Sequence, residues 1–307
     1  MATGAFPDGA ALPVVGPSRL PEWISVRPPR GTLYGPLRDL LREERLGTVC
    51  QEARCPNLPE CWSAGAATIM LLGTECSRRC GFCAVTTRWP RGKVDATEPE
   101  RVARMVARSR LRYVVLTQVC RDDLPDGGAG AMAATLRAVR AAAPKVRIEL
   151  LVGDLGGDPE PLARLAEERP EVLAHNVETV PRLGPAARDP RASWARSLEL
   201  LRRVRDGPAP APVTKSSLML GLGETEEEVG DAFRELRRAG VELLTLGQYL
   251  RPSLAHLPVA RYVTPAEFDR LAERARAAGF AGVAAGPLVR SSYRAEALFD
   301  LAVARRG

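Results

Sequence analysis

The sequence predicts an α/β fold, a partial (β/α)6 barrel of the TIM type with N-terminal and C-terminal extensions. Six short apolar runs have the length and the β-branched content of strands. Helical patterns separate these runs, and such an alternation favours parallel βα units. The runs are continuously apolar, which is typical of a sheet buried on both faces. The predicted strands are Thr68–Leu72, Tyr113–Val119, Val146–Val152, Val172–Glu178, Ser216–Gly221 and Leu243–Gln248.

The segments between these strands carry the signals of amphipathic helices. In PRASWARSLELLRRVR, Trp194 recurs at helical spacing with Leu198, Leu201 and Val204, which predicts that it belongs to the core. ETEEEVGDAFRELRRAG begins with acidic residues and stops at Gly240, as helix ends prefer. In a barrel of this kind, the chemistry lies on the loops after the carboxyl ends of the strands. An open doubly wound sheet is the alternative, but no GxGxxG motif opens the first helix.

The length of 307 residues suffices for one large α/β domain with appendages. We predict an arm over residues 1–65 that carries the first Cys group, a barrel over 66–250 and a C-terminal extension over 251–307. The first residues are rich in Pro and Gly, which predicts irregular structure, and they lack the pattern of a secretion signal. No run of about 18 apolar residues occurs. We therefore expect a cytoplasmic protein without a membrane span.

The charge pattern argues against nucleic-acid binding. The net charge is +7, but the basic residues are scattered, and only Lys93, Lys145 and Lys215 are lysine. Aromatic residues make up 5% of the chain, whereas nucleic-acid surfaces combine clustered basic residues with aromatics. The surplus positive charge suits an acidic partner. No exposed apolar stripe stands out, so we expect a monomer.

The stronger of two Cys motifs is CxxxCxxC, formed by Cys76, Cys80 and Cys83 directly after the first predicted strand. Three thiolates can hold three irons of a [4Fe–4S] cluster and leave the fourth iron open for chemistry, whereas ferredoxin-type carriers supply a fourth Cys. A structural zinc site is the alternative. It usually needs four ligands, and only His175 and His256 are available as histidines.

A second group, CxxxxCxxxxxC, consists of Cys50, Cys55 and Cys61. Alone, it fits a zinc half-site or a few unrelated thiols. Beside the first group it indicates an auxiliary cluster, with one cluster generating a radical and the other donating sulfur or passing electrons. Six Cys gathered at one end of a large chain favour cluster ligation over disulfides.

A CxxxCxxC motif after a first strand resembles that of the radical S-adenosylmethionine superfamily. Further blocks resemble the lipoyl synthase family in their order, over about residues 48–295. They are CQEARCPNLPECW, MLLGTECSRRCGFCAV, VVLTQVCRDDLPDGGAG, AHNVETVPRL, RDPRASW, TKSSLMLGLGE, LTLGQYLRP, HLPV and GPLVRSSY. The resemblance implies two [4Fe–4S] clusters, S-adenosylmethionine, and insertion of sulfur at C6 and C8 of an octanoyl chain on a carrier lysine. The auxiliary cluster would be the sulfur source and would be consumed.

The same resemblance implies partners and further site residues. The partners are octanoylated lipoyl carrier domains (dehydrogenase E2 subunits and the glycine cleavage H protein), an electron donor such as ferredoxin or flavodoxin, and an iron–sulfur carrier that rebuilds the auxiliary cluster. One serine of RSSY would ligate that cluster, and we favour Ser292 over Ser291. A hydroxyl binds iron less strongly than a thiolate, which suits a cluster meant to come apart. The implied S-adenosylmethionine contacts are Phe82, Asn176, Glu178, Gly221 and Gly223.

Three positions depart from the family pattern. Gln51 stands where the family usually has Glu, Cys120 where it usually has Asp, and VGDLGGD where it usually has VPDFRGD. We predict that Cys120 is not a cluster ligand, because both sets of three are already complete.

Two other functions compete with this interpretation. Another radical enzyme, such as a biotin-synthase-like sulfur inserter or a methylthiotransferase, is disfavoured by the terminal RSSY. A non-enzymatic cluster carrier or zinc-binding interaction protein is disfavoured by the open CxxxCxxC site and the barrel pattern.

Overall fold

The computed structural model describes residues 20–25, 33–53, 55, 57–63, 66–109, 111–207 and 210–306. Its main sheet has eight strands in the order β1-β2-β5-β6-β7-β8-β9-β10, and β3 and β4 form a separate pair. The strands are β1 Gly47–Thr48, β2 Thr68–Leu71, β3 Glu75–Cys76, β4 Thr86–Thr87, β5 Tyr113–Gln118, β6 Arg147–Leu151, β7 Val172–Ala174, β8 Val213–Leu220, β9 Leu243–Gln248 and β10 Gly282–Gly286.

From α4 onward, the helices alternate with the strands as the βα pattern predicts. They are α1 Tyr34–Glu43, α2 Val49–Glu52, α3 Leu58–Ser63, α4 Glu98–Ser109, α5 Ala129–Ala142, α6 Pro159–Glu167, α7 Gly184–Ala187, α8 Trp194–Arg205, α9 Glu226–Arg238, α10 Pro265–Ala277 and α11 Ala295–Arg306. Two short 3-10 turns lie at Leu155–Gly157 and Pro181–Leu183. The predicted boundaries 1–65, 66–250 and 251–307 stay a prediction.

All six predicted strands are present and pair in parallel, which confirms a partial barrel of βα units. Four strands were not predicted, namely β1, β10 and the separate pair of β3 and β4. The strand β1 pairs antiparallel with β2, and β10 adds a seventh parallel strand beside β9. Three helices, α1 to α3, also lie in the predicted arm of residues 1–65, for which no helix was predicted. The irregular structure predicted for the first residues falls mostly outside the described residues.

The helix α11 packs on the inner face of the sheet. Its residues Leu298 and Ala302 join a buried cluster with β7, β8 and β9, while Ala295 packs on Tyr113 of β5. Helices α4, α5 and α6 instead cover the outer face of β2, β5 and β6. A sheet that wraps one helix and carries others outside is a partial barrel and not an open, doubly wound sheet.

Ion pairs fix α11 at the amino ends of the strands. Arg147, the first residue of β6, pairs with Asp300 at 2.5 Å. Arg306 pairs with Glu242, which directly precedes β9, also at 2.5 Å. The barrel is therefore plugged at this end, so its opposite end, at the carboxyl ends of the strands, is the one available for a substrate.

The predicted core position of Trp194 holds in part. Leu198, Leu201 and Val204 are buried, but Trp194 itself is half-buried at the start of α8. Its indole N–H donates to Glu235 at 2.6 Å, which gives the polar edge of the ring a partner.

Within the described residues, no helix is both long and apolar enough to cross a membrane.

Candidate active site with two cysteine groups

The CxxxCxxC loop leaves the carboxyl end of β2, as predicted for a barrel active site. Cys76, Cys80 and Cys83 lie close together, because Cys76 raises the pKa of Cys80, and both of them raise the pKa of Cys83. Burial raises the pKa of Cys80 to about 11 and that of Cys83 to about 12. The Cys80 and Cys83 thiols are therefore protonated at neutral pH. Binding iron must therefore release protons.

A buried arginine inside this loop ties it to the neighbouring strands. The Arg78 guanidinium contacts Asp122 at 2.7 Å and Asp154 at 2.6 Å, and its side chain is 5% exposed. Asp122 follows β5 and Asp154 follows β6. The Ser77 hydroxyl adds a hydrogen bond to Asp122 at 2.6 Å. The loop after β2 is thus locked to the loops after the next two strands.

The other side of the Cys loop is held by the segment before α8. The Asp189 carboxylate accepts a hydrogen bond from the backbone N–H of Arg79 at 2.8 Å. The backbone N–H of Asp189 donates to the Cys80 sulfur at 3.4 Å. The loop after β9 contributes as well, because the His256 ring lies 3.0 Å from the Cys83 carbonyl oxygen. Sequence reasoning missed these supports, although acidic residues after strand ends are the signal that could have found them.

Asn176 and Glu178 lie beside the first Cys group, but not at the end of a strand. The strand β7 stops at Ala174, and Glu178 adopts a left-handed φ of 70° with one isolated bridge to β8. Burial raises the pKa of the half-buried Glu178, which in turn raises the pKa values of Cys80 and Cys83. The Asn176 side chain bonds to Glu178, and its buried Oδ1 atom has no hydrogen-bond partner within the described residues. The two side chains thus offer oxygens suited to accepting hydrogen bonds from an ammonium group.

The Gly-rich loop after β8 is shaped by its own packing. Gly221 and Gly223 have φ values of 95° and 112°, which disfavour other residues. The Glu224 carboxylate accepts hydrogen bonds from the backbone N–H of Gly221 at 2.6 Å and of Leu222 at 2.9 Å. A Cβ at Gly221 would lie 2.1 Å from Gln248 Nε2, so protein packing already requires glycine there. Phe82 is half-buried against the apolar cluster of α8 to α10.

The second Cys group lies on α2, α3 and the turn between them. Burial raises the pKa of Cys50, and burial together with Cys50 and Cys55 raises the pKa of Cys61 to about 12. The Trp62 indole N–H is buried without a regular hydrogen-bond partner, and it faces Cys50, whose pKa it lowers. An N–H aimed at a thiol suits a site where that sulfur becomes a charged ligand.

Ser292 lies against this second group. The Thr68 hydroxyl donates to the Ser292 oxygen at 2.7 Å, and the Thr68 backbone contacts the Cys50 thiol. Ser291 makes no side-chain hydrogen bond within the described part of the chain. The Asn57 amide, between Cys55 and Cys61, donates to the Leu288 carbonyl and brings the segment before RSSY to the same place.

Cys120 touches the first Cys group. Its thiol forms a hydrogen bond with Cys76, which is the main reason that the pKa of Cys76 falls to about 6. Its carbonyl oxygen accepts from the Ser77 hydroxyl at 2.9 Å. The prediction that Cys120 is not a ligand stays a prediction. Within the described ranges, no three His, Cys, Asp or Glu side chains converge as they would around a single metal ion.

Comparison with known proteins identifies the family. The model of the radical SAM superfamily matches residues 70–236, and that of the N-terminal domain of lipoyl synthase matches residues 12–55. A lipoyl synthase of Thermus thermophilus is 55% identical over 282 residues, which cover 91% of this chain and 86% of that protein. The chain belongs to the lipoyl synthase family. A second lipoyl synthase, from Methylococcus capsulatus, is 55% identical over 281 residues, with 91% and 86% covered.

Solved structures agree with the fold. Methylornithine synthase superposes with a TM-score of 0.54 at 15% identity, over 80% of this chain and 74% of that one. A hydrogenase maturase from Carboxydothermus hydrogenoformans gives 0.52 at 14% identity, over 88% and 60%. As a member of the lipoyl synthase family, the chain is a radical S-adenosylmethionine enzyme. Its cofactors are S-adenosylmethionine and [4Fe–4S] clusters, including the predicted auxiliary cluster.

Proposed function

We propose that this protein is a lipoyl synthase that inserts sulfur at C6 and C8 of an octanoyl chain bound to a carrier lysine. The observation that carries the proposal is the presence of two separate three-Cys groups on one barrel, with Ser292 beside the second. A ferredoxin-type electron carrier would not need a cluster with an open iron at the carboxyl ends of the barrel strands.

The residues present fit two [4Fe–4S] clusters. Cys76, Cys80 and Cys83 would hold one, and their neighbouring, half-buried side chains after the carboxyl end of β2 match a cluster with one open iron. The second would be held by Cys50, Cys55, Cys61 and Ser292, which is supported by the influence of Cys50 and Cys55 on Cys61 and by the link from Ser292 through Thr68 to Cys50. When bound, the first cluster and S-adenosylmethionine supply a radical able to take hydrogen from an unactivated carbon, and the second cluster supplies sulfur.

The protein's own residues position these groups. Arg78, held between Asp122 and Asp154, fixes the first Cys loop against the barrel. Glu178 and the unpartnered Asn176 Oδ1 would accept hydrogen bonds from the amino group of S-adenosylmethionine. The loop of Gly221 and Gly223, and the ring of Phe82, would border the same ligand.

The barrel encloses the acyl chain. An alkyl radical is readily quenched by stray thiols or by dioxygen, so the acyl chain must be held in an enclosed site. The helix α11 plugs the amino end of the barrel, and its ion pairs with Arg147 and Glu242 keep it there. The acyl chain would therefore enter from the end that carries the Cys loop.

The partners follow from this chemistry. The substrate would be an octanoylated lipoyl carrier domain, of a dehydrogenase E2 subunit or of the glycine cleavage H protein. Ferredoxin or flavodoxin would supply electrons, and an iron–sulfur carrier would rebuild the auxiliary cluster. We also propose a cytoplasmic monomer that binds no nucleic acid.

The direct test is anaerobic reconstitution with iron and sulfide, followed by incubation with an octanoylated carrier domain, S-adenosylmethionine and a reductant. Mass spectrometry should show a carrier that has gained two sulfur atoms, together with 5′-deoxyadenosine. Formation of 5′-deoxyadenosine with an octanoyl chain that never gains sulfur would refute the lipoyl synthase assignment.

A further inference from the structure

We propose that the segment Arg88–Val94, here called the tryptophan loop, docks an acidic carrier domain at the mouth of the barrel. The proposal rests on the lipoyl synthase function proposed above, because it assigns a surface to the protein substrate of that reaction. The loop has the sequence Arg88, Trp89, Pro90, Arg91, Gly92, Lys93 and Val94.

The tryptophan loop lies at the same end of the barrel as the first Cys group. The backbone N–H of Arg88 donates to the Cys76 carbonyl oxygen at 3.0 Å. The backbone N–H of Gly92 donates to Asp123, after β5, at 2.7 Å. The buried Arg121 side chain donates to the Lys93 carbonyl oxygen at 2.8 Å. The loop is thus anchored at three points, and its surface is fixed relative to the site of chemistry.

This fixed loop exposes apolar side chains. Trp89 is 51% exposed and Val94 is 44% exposed, although a protein of this size has a core large enough to bury such side chains. A third exposed apolar residue, Leu254 at 83%, lies on the loop whose His256 contacts the Cys83 carbonyl. Tryptophan is the residue type most enriched at the energetic centres of protein interfaces. The rim of the Cys site therefore offers exposed apolar anchors, as far as the described residues extend.

The charge of the loop selects an acidic partner. It contains Arg88, Arg91 and Lys93 and no acidic residue. Arg88 pairs with Glu75 at 3.0 Å, but in the described part of the chain Arg91 and Lys93 form no ion pair.

The neighbouring carboxylates are already engaged. Asp95 pairs with Arg101 at 2.5 Å, and Asp123 pairs with Arg121 at 2.8 Å. Two free cations beside an exposed indole form a surface complementary to an acidic domain.

The other exposed apolar surface at a barrel end is less suitable. Leu301 and Val303 on α11 are 53% and 47% exposed, but they lie at the plugged amino end. A carrier docked there would have to pass its acyl chain through the packed interior to reach the Cys loop. Docking on the tryptophan loop places the modified lysine next to Cys76 instead.

The test uses Arg91→Glu/Lys93→Glu and, separately, Trp89→Ala, in the reconstituted full-length protein. Calorimetry measures binding of an octanoylated acidic carrier domain at low and high salt. Kinetics compare kcat/KM on that carrier with kcat/KM on a short octanoyl-lysine peptide, which lacks the carrier surface. We expect each variant to lose about tenfold or more in affinity and in kcat/KM for the carrier. The peptide should lose less than about twofold. The salt dependence of binding should flatten in the charge-reversal variant.

Matched controls separate docking from general effects. Lys145→Glu reverses an exposed lysine at the amino end of β6, and Leu301→Ala trims an apolar residue as exposed as Trp89. Both should leave carrier affinity unchanged. Equal losses on peptide and carrier, or carrier affinity kept in both loop variants, would overturn the docking proposal. If the parent protein forms no lipoyl product on either substrate, the function is refuted, while calorimetry still decides whether the loop binds the carrier.

Discussion

The Thr68 hydroxyl donates a hydrogen bond to the Ser292 hydroxyl at 2.7 Å, across 224 residues of sequence. Thr68 begins β2, and Ser292 follows β10, the strand at the far edge of the sheet. The contact therefore joins the two ends of the barrel sheet, and it does so beside Cys50. If Ser292 is a ligand, assembly of the auxiliary cluster would depend on this contact between the segment after β10 and the strand β2.

The Ser292–Thr68 contact distinguishes the two serines of RSSY. Ser292→Ala should lower the yield of sulfur-inserted product at least about tenfold, because the auxiliary cluster loses one weak ligand. The cluster should still assemble in part, so iron should fall by less than the full four atoms. Ser291→Ala is the matched control and should behave like the parent. Product mass spectrometry and iron analysis check both, and a reversed order would assign the ligand to Ser291.

Cys120 contacts Cys76, yet we expect it not to bind iron. Cys120→Ser keeps a hydrogen-bonding group of similar size beside Cys76, so the variant should retain about eight irons per chain, the sum of two four-iron clusters. Colorimetric iron and sulfide analysis after anaerobic reconstitution measures this. Loss of about four irons would show that Cys120 is itself a cluster ligand, and that one of the two sets of three Cys is wrongly assigned.

Arg78 holds the first Cys loop through two buried carboxylates. Arg78→Leu removes the buried cation that joins Asp122 to Asp154, and it leaves these carboxylates with only the more exposed Arg191 and Arg196 as ion-pair partners. We expect loss of the first cluster, about four irons, and of 5′-deoxyadenosine formation. The auxiliary cluster should stay. Arg79→Leu, whose side chain is exposed in the same loop, is the control and should retain both clusters.

A buried ion pair stabilises the barrel interior. Lys215 on β8 contacts Glu149 on β6 at 2.7 Å, both side chains are 1% exposed, and Tyr113 donates to the same carboxylate at 2.8 Å. Lys215→Met should lower the free energy of unfolding by about 3 kcal/mol, because Glu149 becomes an unpaired buried charge.

The second substitution makes this prediction specific. Glu149→Gln added to Lys215→Met should recover part of the loss, since the amide is neutral and still accepts from Tyr113. Anaerobic urea unfolding of the reconstituted protein measures both. A double variant that is less stable than Lys215→Met alone would contradict this account of the pair.

Much of the fold follows from local sequence. The six central strands are dense in β-branched and apolar residues, and the helices between them carry capping and charge signals that need no tertiary context. The strand β10, with sequence GVAAG, lacks such a signal, and its pairing with β9 is what makes it a strand. The helix α11 shows the same limit, since its place inside the barrel depends on ion pairs with distant residues such as Arg147.

The candidate site divides in the same way. The two Cys groups are visible as spacings, and RSSY is visible as a motif. The hydrogen bonds that hold the first Cys loop cannot be seen in the sequence, because their partners are far apart. Ser77 and Asp122 are separated by 45 residues, and Arg79 and Asp189 by 110. The contact of Cys120 with Cys76 likewise depends on the alignment of β5 beside β2. Glu178 was expected to close a strand, but its left-handed backbone places it in a loop.

The central claim is that the two Cys groups have different tasks, and one variant tests it most directly. Replacing Cys50, Cys55 and Cys61 together by Ala removes the auxiliary cluster and leaves Cys76, Cys80 and Cys83 in place. The measurement is mass spectrometry of an octanoylated carrier peptide after a single turnover, with 5′-deoxyadenosine quantified in the same sample. The account predicts 5′-deoxyadenosine without any carbon–sulfur bond, whereas Cys80→Ala should form neither. Lipoyl product from the triple variant would contradict the account.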